Sequence, residues 1–366
     1  MPLKRLQKFT KPVTKELLPT QQATISQVVC GMLLSRSLIL AEIARGFETA
    51  VAFVHNLKRV FRYVSNERIT DQHSKEVVAS RLIRQLCRRL RLTPCQPLEV
   101  IIDWTSVGDY QVLSALIGIK GRAVPVLQWA VRKWEFEKSQ NHVEEQFLQS
   151  LRRCIPHSLK TIIVADRGFG RTELFRFIAE LGFNYVIRVK GDVWIECHSY
   201  SGRLKDYPLL VGQTFKLTQV RDHKTKRLEL KWALTCTLME KKVSSWLFAT
   251  DLGLQARQIV EIYRRRFWCE ESFRDQKQEF ALDGVRVCEA RRWENLLLAL
   301  AVVFLLLAVI GLRAEKLGYA AKFAGQKKGQ KVISWVQVAL HLLRESSRFL
   351  NLLFETKAGS FSLHWV

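Results

Sequence analysis

The sequence predicts an α/β protein in which a mixed β-sheet has helices on both faces. A β-rich insertion interrupts this sheet domain, and an all-helical region precedes it. Three apolar, strand-like runs follow one another directly, at 98–103, 110–119 and 123–131. Helical and strand-like patterns then alternate, which is typical of parallel strands joined by helices. Hairpins followed by crossovers predict a sheet with both antiparallel and parallel pairs.

Residues 1–95 are predicted to form a helical, basic, DNA-binding domain. They contain 17 Lys and Arg against 6 Asp and Glu, an excess of 11 positive charges. The segment 38–45, closed by Gly46, is similar to the first helix of a helix-turn-helix, and helices at about 49–63 and 75–92 follow it. An ordinary helical domain with a charged face fits this pattern equally well.

The rest of the chain is divided by changes in pattern, beginning at the proline-containing segment 93–97. After the first three strands, the order helix, strand, helix, strand is predicted at 141–154, 161–166, 172–181 and 184–189. Two strands around a polar turn indicate a β-rich insertion, at 214–220 and 227–236. A strand follows at 246–250, then a long helix from Gln255 through Lys277, and a final helix at 332–349. The predicted divisions are the N-terminal domain at 1–95 and the first part of the sheet domain at 96–190. The β-rich insertion follows at 191–244, the rest of the sheet domain at 245–320, and a C-terminal helical region at 321–366.

One segment raises the question of a membrane span. Residues 296–312 form an apolar run of 17 residues flanked by Arg291, Arg292 and Arg313, which is the lower limit for crossing a bilayer. A helix that is apolar on all sides also fits the centre of a large core. We favour the core helix, because the sequence has no second such run and its charge excess is spread along the whole chain.

Composition points to a polyanionic partner. The formal net charge is +24 and the pI is about 10.0, which favours nucleic acid or an acidic membrane surface. Eight cysteines occur without a C-x-x-C pair, so neither a zinc site nor a disulfide framework is expected, and reduced thiols indicate a cytoplasmic protein. Motifs for nucleotide-binding loops, serine nucleophile elbows and zinc hydrolases are absent from the sequence.

Two acidic residues follow apolar, strand-like runs, Asp103 after 98–102 and Asp166 after 161–165. Where such strands lie side by side and parallel, their carboxylates converge at one edge of the sheet. A divalent cation stabilises two neighbouring carboxylates, and Mg²⁺ prefers oxygen ligands. A strand-end aspartate is more often structural, however, and Asp251 follows an apolar run in the same way, where we expect it to lie near a helix start.

A basic helical segment supplies a third acid. At about 100° per residue, Tyr263, Arg266, Glu270 and Lys277 share one face of a continuous helix, with Arg274 close by. A single carboxylate among cations suits a metal ligand beside a phosphate backbone. The competing interpretation is a solvated helix with surface salt bridges.

These residues resemble those of the bacterial DDE transposases of the insertion sequence 4 family. The segment matches their Y-x2-R-x3-E-x6-K pattern at Tyr263, Arg266, Glu270 and Lys277. Asp103 and Asp166 resemble the first and second catalytic aspartates of that family. They are 63 residues apart (166 − 103), and Glu270 lies 104 residues further on (270 − 166), an interval that holds the insertion as it does in those transposases.

The resemblance implies an RNase H-like fold and DNA strand transfer that depends on Mg²⁺ or Mn²⁺, with two ions held by Asp103, Asp166 and Glu270. It also implies DNA contacts from Tyr263, Arg266 and Lys277, to which Arg274 adds a candidate. The partners would be double-stranded DNA, both terminal inverted repeats and target, and a second copy of the chain in a homodimer. No small-molecule substrate and no membrane are expected.

In this family the freed 3′-hydroxyl typically closes a DNA hairpin, which requires a bent end and often a base stacked on an aromatic ring. Trp194 and Trp232 in the insertion are candidates for that ring, although a core position is the more common role for each. Three alternatives stay open: another metal-dependent nuclease or resolvase on the same fold, a non-catalytic DNA-binding protein, and a membrane-attached protein.

Overall fold

The computed structural model describes residues 2–90, 96–208, 213–222, 234–238, 245–323 and 333–353. The helices are α1 (Pro2–Thr14), α2 (Pro19–Ser35), α3 (Leu40–Arg45), α4 (Phe53–Val64), α5 (Glu67–Thr70), α6 (Gln72–Leu90), α7 (Lys133–Cys154), α8 (Thr172–Glu180), α9 (Ala256–Arg264), α10 (Phe267–Phe280), α11 (Ala290–Lys316) and α12 (Trp335–Glu345). The strands are β1 (Leu98–Val107), β2 (Tyr110–Ile119), β3 (Arg122–Arg132), β4 (Thr161–Ala165), β5 (Asn184–Arg188), β6 (Trp194–Cys197), β7 (Tyr200–Arg203), β8 (Thr214–Leu217), β9 (Arg221–Asp222), β10 (Leu234–Leu238), β11 (Ser245–Trp246) and β12 (Phe248–Thr250).

A six-stranded mixed sheet in the order β12-β5-β4-β1-β2-β3 organises the protein. The first three strands form consecutive antiparallel hairpins, while β4 runs parallel to both β1 and β5. The β2–β3 connection is the two-residue turn Lys120–Gly121, in which both residues have positive φ, as a type I′ hairpin turn requires. The mixed α/β architecture is confirmed, and it is consistent with an RNase H-like domain.

Both faces of this sheet are covered by helices, as the alternation of side chains along the strands requires. On one face, Ile101 and Leu116 pack in a cluster with Ile259 of α9 and Phe273 of α10. On the other face, residues of β1 such as Val100 join a larger core with the residues of α7 and α11. The sheet is therefore buried on both sides.

The long apolar helix α11 lies at the centre of that larger core. Among the described residues, it is the one helix long and apolar enough to cross a membrane, and 94% of its most apolar 18-residue stretch is buried inside the protein. The Asn295 side chain donates hydrogen bonds to the carbonyls of Tyr63 and Val64 at 3.2 and 3.0 Å, and the Tyr63 hydroxyl donates to the Asn295 carbonyl at 2.7 Å. The structure thus buries residues 296–312, as the core interpretation predicts.

The N-terminal helices share this core. Residues of α2, α4 and α6, such as Val29, Val60 and Leu82, belong to the same buried cluster as α11. The predicted helix at 49–63 begins at Phe53, and the one at 75–92 begins three residues earlier, at Gln72. The boundaries of a separate N-terminal domain, and its binding of DNA, stay predictions.

The described part of the insertion is rich in β-structure. Its strands form two three-stranded sheets, in the orders β7-β6-β9 and β11-β10-β8, and β11 of the second sheet lies just past the predicted end of the insertion. The predicted strand at 214–220 is shorter, as β8, and 223–233, with Trp232, lies outside the described residues. At the C-terminal end, the predicted helix at 332–349 is observed as α12, followed by a 3₁₀ segment at Ser347–Leu353.

Replacing Gly311 by alanine is expected to destabilise the protein by about 2 kcal/mol, because overpacking a core carries a cost of that size. A Cβ at this position of α11 would lie 2.0 Å from the backbone oxygen of Trp335 in α12. The loss would appear as a lower urea midpoint. Gly253→Ala is the matched control, since a Cβ there meets nothing within 4 Å. Equal midpoints for the two variants would contradict this account of the α11–α12 contact.

Candidate active site

Asp103 and Asp166 lie at the same level on neighbouring parallel strands. The β1–β4 pairing ends at Ile102 opposite Ala165, and the next residue on each strand is one of the two acids. One expectation needs correction, because Asp103 does not end its strand. The antiparallel pairing of β1 with β2 continues to Val107 opposite Tyr110. Asp103 is therefore held within a long hairpin, at the point where the shorter β4 stops.

The helical segment that carries the third acid is broken, which corrects the prediction of one continuous helix. Helix α9 ends at Arg264 and α10 begins at Phe267. Around the break, the backbone N–H groups of residues 265, 266, 268 and 269 donate to carbonyls three residues back, and such bonds tighten the turn relative to an α-helix. Arg265 is fixed at this break by Glu99 of β1, to which its Nε donates at 2.6 Å. The even rotation of 100° per residue therefore does not hold across the motif.

Arg266 is the residue on which the three acids converge. One terminal nitrogen of its guanidinium lies 2.8 Å from Asp103 Oδ2 and 3.9 Å from Asp166 Oδ2, and the other pairs with Glu270. The structure thus brings Asp103, Asp166 and Glu270 together around one cation. The side chain of Arg266 is only 11% exposed, so this ion-pair cluster is largely shielded from solvent.

The electrostatics at Asp103 reflect its burial. Burial raises the pKa of the Asp103 carboxyl group, and the charge of Arg266 opposes that rise. Burial also disfavours the charge on Arg266, but the nearby acidic groups, Asp103 first and Asp166 with a smaller effect, hold the pKa of the guanidinium above its ordinary value. Arg266 is therefore charged at any accessible pH. It stabilises Asp103 as an anion in a position where an isolated carboxylate is costly.

A buried cysteine adds a hydrogen bond to the same carboxylate. The Cys269 thiol lies 3.3 Å from Asp103 Oδ2 and donates to it. Burial raises the pKa of Cys269 far above its ordinary value, and the charge of Asp103 adds to the rise, so the thiol stays protonated. The Trp104 backbone N–H donates to Asp103 Oδ1 at 3.0 Å. Asp103 is thus the most tightly held of the three acids.

The other two acids are more open. The Asp166 side chain is 35% exposed and accepts a hydrogen bond from the Gly168 N–H at 2.8 Å, in the turn that follows β4. The Glu270 side chain is 48% exposed. The carboxylates of Asp166 and Glu270 are therefore accessible from solvent, whereas Asp103 is the most deeply buried of the three acids.

Glu144 of α7, which the sequence patterns did not single out, connects the segments that carry the two aspartates. It is fully buried, accepts a hydrogen bond from the Trp104 indole at 3.0 Å, and pairs with Arg171 at the start of α8. Trp104 follows Asp103, and Arg171 closes the turn that begins at Asp166. A single Glu in a charged helix carries no pattern in the sequence, so only the structure reveals this connection.

Replacing Glu144 by glutamine is expected to cost about 2 kcal/mol of unfolding free energy, since it removes a charged hydrogen-bond partner from the largely buried Arg171. The amide would still accept from Trp104. Chemical denaturation measures the loss, and Glu145→Gln is the control, because Glu145 is 35% exposed and lies 4.0 Å from Arg171. An equal effect of the two substitutions would contradict the bridging role of Glu144.

The remaining DNA-binding candidates are distributed unevenly around the acids. Lys277 is 35% exposed, with its Nζ 3.5 Å from the Ser106 carbonyl of β1. Tyr263 is only 1% exposed, packs against Phe248, and accepts a hydrogen bond from Arg188. Its ring therefore lies in the apolar core, in the same cluster as Phe248 of β12 and Ile259 of α9. Its phosphate contact stays a prediction.

The cations near the motif include two that are engaged in structural ion pairs. Arg274 pairs with Glu271 at 2.8 Å and therefore contacts the residue next to Glu270 in the sequence. Arg122, for which the sequence offered no role, donates to Asp275 at 2.7 Å and fixes α10 to β3. Asp251 is also structural, but it does not cap a helix. It accepts hydrogen bonds from the Tyr185 backbone N–H and the Asn184 side chain, because β12 ends beside β5.

Among the two tryptophans considered for base stacking, only Trp194 lies within the described residues. It begins β6, pairs with Arg203 of β7, and is 44% exposed. Its exposure is compatible with a contact to DNA.

The donor set fits a hard divalent cation, although the site is not arranged for one in this structure. Within the described residues, no group of three or more His, Cys, Asp or Glu side chains is placed to hold a metal ion. Asp103, Asp166 and Glu270 instead share Arg266 as their counter-cation. Carboxylate oxygens are the ligands that Mg²⁺ and Mn²⁺ prefer, so these three side chains suit such an ion. The position of Arg266 decides whether an ion reaches them.

Residues 131–306 match the model of a known protein family. No curated protein matches the chain. The matched range, 131–306, contains Asp166 and Glu270, and Asp103 lies before it. Over these residues the chain matches the family described as the transposase DDE domain, which supports a DDE transposase.

Proposed function

We propose that this protein is the transposase of an insertion sequence of the insertion sequence 4 type. It binds the terminal inverted repeats of its element and catalyses metal-dependent DNA cleavage and strand transfer. The observation that carries the proposal is the convergence of Asp103, Asp166 and Glu270 on one guanidinium. These acids come from two sheet strands and a helix far apart in sequence, and the match to the transposase DDE domain supports the same chemistry.

In this proposal the three acids hold two Mg²⁺ or Mn²⁺ ions. When bound, such ions activate the attacking oxygen and stabilise the leaving oxygen of an in-line displacement at phosphorus. The protein's own contribution is to fix the carboxylates. Asp103 is fixed by β1, Cys269 and Trp104, and Asp166 is fixed by its turn. Glu270 approaches from α10 on the solvent side.

Arg266 has two roles in this proposal. While no ion is bound, its guanidinium stabilises the cluster of carboxylates. With the carboxylates holding a divalent cation instead, the Arg266 guanidinium would be free to bind a phosphate of the DNA, for which its planar fork is suited. Lys277 supplies a second cation on the same helix, and Tyr263 reaches a phosphate only if its ring leaves the core.

The remaining parts of the proposal concern the course of transposition. A homodimer would hold the two ends of the element together, and cleavage would pass through a hairpin with a base stacked on Trp194 or Trp232. The protein would act in the cytoplasm on chromosomal DNA. The net charge of +24 supports a polyanionic partner of this kind.

The deciding experiment incubates the purified protein with linear DNA that carries the inverted repeats flanking its own gene. Nicking at the repeat boundary with Mg²⁺ or Mn²⁺, and none with EDTA, is the expected result. Absence of any metal-dependent nick at the boundary would overturn the proposal. Metal-dependent nicks at arbitrary positions would instead indicate another nuclease of the same fold, and binding without nicks would indicate a non-catalytic DNA-binding protein.

A further inference from the structure

A cleft of about 640 Å³ lies beside the turn that joins β1 to β2. Its walls come from three segments: the β1–β2 turn, the junction of β3 with α7, and the residues that precede α11. A cleft of this size accommodates a small organic group. None of its residues is one of the three acids or their counter-cation, so the cleft is separate from the site described above.

The side chains around the cleft are mainly hydrogen-bond donors and cations. Arg132, Lys133 and Arg286 line it, against the single carboxylate of Asp109. Arg132 donates to the Tyr110 hydroxyl and the Cys288 carbonyl, and Arg286 donates to the Asp283 carbonyl. These acceptors are uncharged. The pKa of the Arg132 guanidinium is raised first by the hydrogen bond to Tyr110, and also by the carboxylate of Glu135, which lies near it. The three cations still outnumber the carboxylates of Asp109 and Glu135. The cleft therefore favours an anionic ligand.

Two tryptophans also line the cleft. The ring of Trp134 is 61% exposed, the highest value among the large apolar side chains of the described residues. Trp293 also lines the cleft and is 2% exposed, and its indole N–H has no hydrogen-bond partner within the described part of the chain. A buried donor without an acceptor is costly, and an acceptor on a bound ligand would satisfy it.

A series of cations connects the cleft with the three acids. Lys277 lies on α10 with its Nζ 3.5 Å from Ser106 of β1 and 3.5 Å from Asp283. Arg286 donates to the carbonyl of the same Asp283. Cations thus continue from Arg266 through Lys277 to the cleft. From Asp103 to the turn at Gly108 is five residues of extended chain, or about 17 Å.

We propose that this cleft binds an unpaired nucleotide of single-stranded DNA, with the base stacked on Trp134 and the phosphate held by Arg132, Lys133 and Arg286. Any base presents a flat face to an aromatic ring, whereas the bases of a duplex already stack on each other. The inference rests on the proposed function, since it extends the path of the DNA away from the three acids.

The test compares a blunt duplex with a duplex that carries a short single-stranded extension, both in EDTA, by fluorescence anisotropy. Wild-type protein is expected to bind the extended DNA on the order of tenfold more tightly. Trp134→Ala should remove that preference and Trp134→Phe should restore part of it. Phe215→Ala, which removes another exposed aromatic side chain, should leave the preference unchanged. Because Trp134 is exposed, its replacement should leave the fold intact. An unchanged midpoint of thermal unfolding checks this.

A second measurement reports on the cleft directly. Cys288 lines the cleft and is exposed, so the extended DNA should slow its alkylation, as followed by peptide mass spectrometry. Cys197, in the insertion, should react at an unchanged rate. A full preference in Trp134→Ala, or an unprotected Cys288, would overturn the cleft proposal while leaving repeat cleavage intact. Failure of the wild-type protein to bind either DNA would overturn both proposals.

Discussion

Replacing Glu270 by glutamine is expected to lower the rate of metal-dependent nicking on the order of a thousandfold. The amide keeps the size of the side chain but loses the charge that holds a cation. Losing several kcal/mol of metal-ion stabilisation corresponds to a rate loss of that order. Because the Glu270 side chain is 48% exposed, the substitution should leave the fold intact. The rate is measured on DNA that bears the flanking repeats, and Mn²⁺ binding is measured in parallel by electron paramagnetic resonance.

The neighbouring acid provides the control for this substitution. Glu271 pairs with Arg274 and Arg122 and makes no contact with Asp103 or Asp166 among the described interactions. Glu271→Gln should therefore retain both nicking and Mn²⁺ binding. If Glu271→Gln abolished nicking and Glu270→Gln did not, the assignment of the third acid would be wrong.

Much of the sheet could be predicted from the sequence, because local patterns determine it. The runs that became β1, β2 and β3 are apolar over most of their length, and Lys120–Gly121 allows the positive φ values of a tight turn. The alignment of Asp103 with Asp166 follows from two parallel strands that carry an acid after the same apolar pattern. What the pattern missed is that β1 continues past Asp103, because its pairing with β2 is a tertiary property.

The broken helix could not be predicted for a related reason. No Gly or Pro marks the break at Arg265 and Arg266. Its position is fixed by the pairing of Arg265 with Glu99, a residue 166 positions earlier in the chain. Tyr263, before the break, is buried, and Glu270, beyond it, is accessible. Interactions between distant residues thus decide the details of the site, even where the sequence motif is specific.

Replacing Arg266 by glutamine is expected to destabilise the metal-free protein by about 3 kcal/mol, because breaking a buried ion pair leaves an uncompensated charge. That charge is on Asp103, which is 8% exposed. Mn²⁺ should restore much of the loss, since the ion supplies the missing positive charge to the three acids. Urea denaturation with EDTA or with Mn²⁺ measures both effects, and Mn²⁺ should bind more tightly to the variant because no guanidinium competes with it.

The pH dependence has a defined sign. Burial raises the pKa of Asp103, and Arg266 opposes the rise, so removal of Arg266 raises that pKa further. A carboxyl group whose folded pKa lies above its unfolded value favours folding at low pH, and this contribution is lost as pH rises through the folded pKa. The deficit of Arg266→Gln should therefore shrink as the solution is acidified through that range, where Asp103 becomes neutral.

Arg265→Gln is the control that separates this mechanism from a general loss of packing. Arg265 is 19% exposed and pairs with Glu99, whose side chain is 10% exposed, so its removal also breaks a largely buried ion pair at the same helix break. Its guanidinium makes no described contact with the three acids, and Mn²⁺ should not restore the stability of this variant. Equal recovery of both variants with Mn²⁺ would contradict the view that Arg266 occupies the place of the cation. Recovery of Arg266→Gln alone would show that one guanidinium and a divalent ion compete for the same three carboxylates.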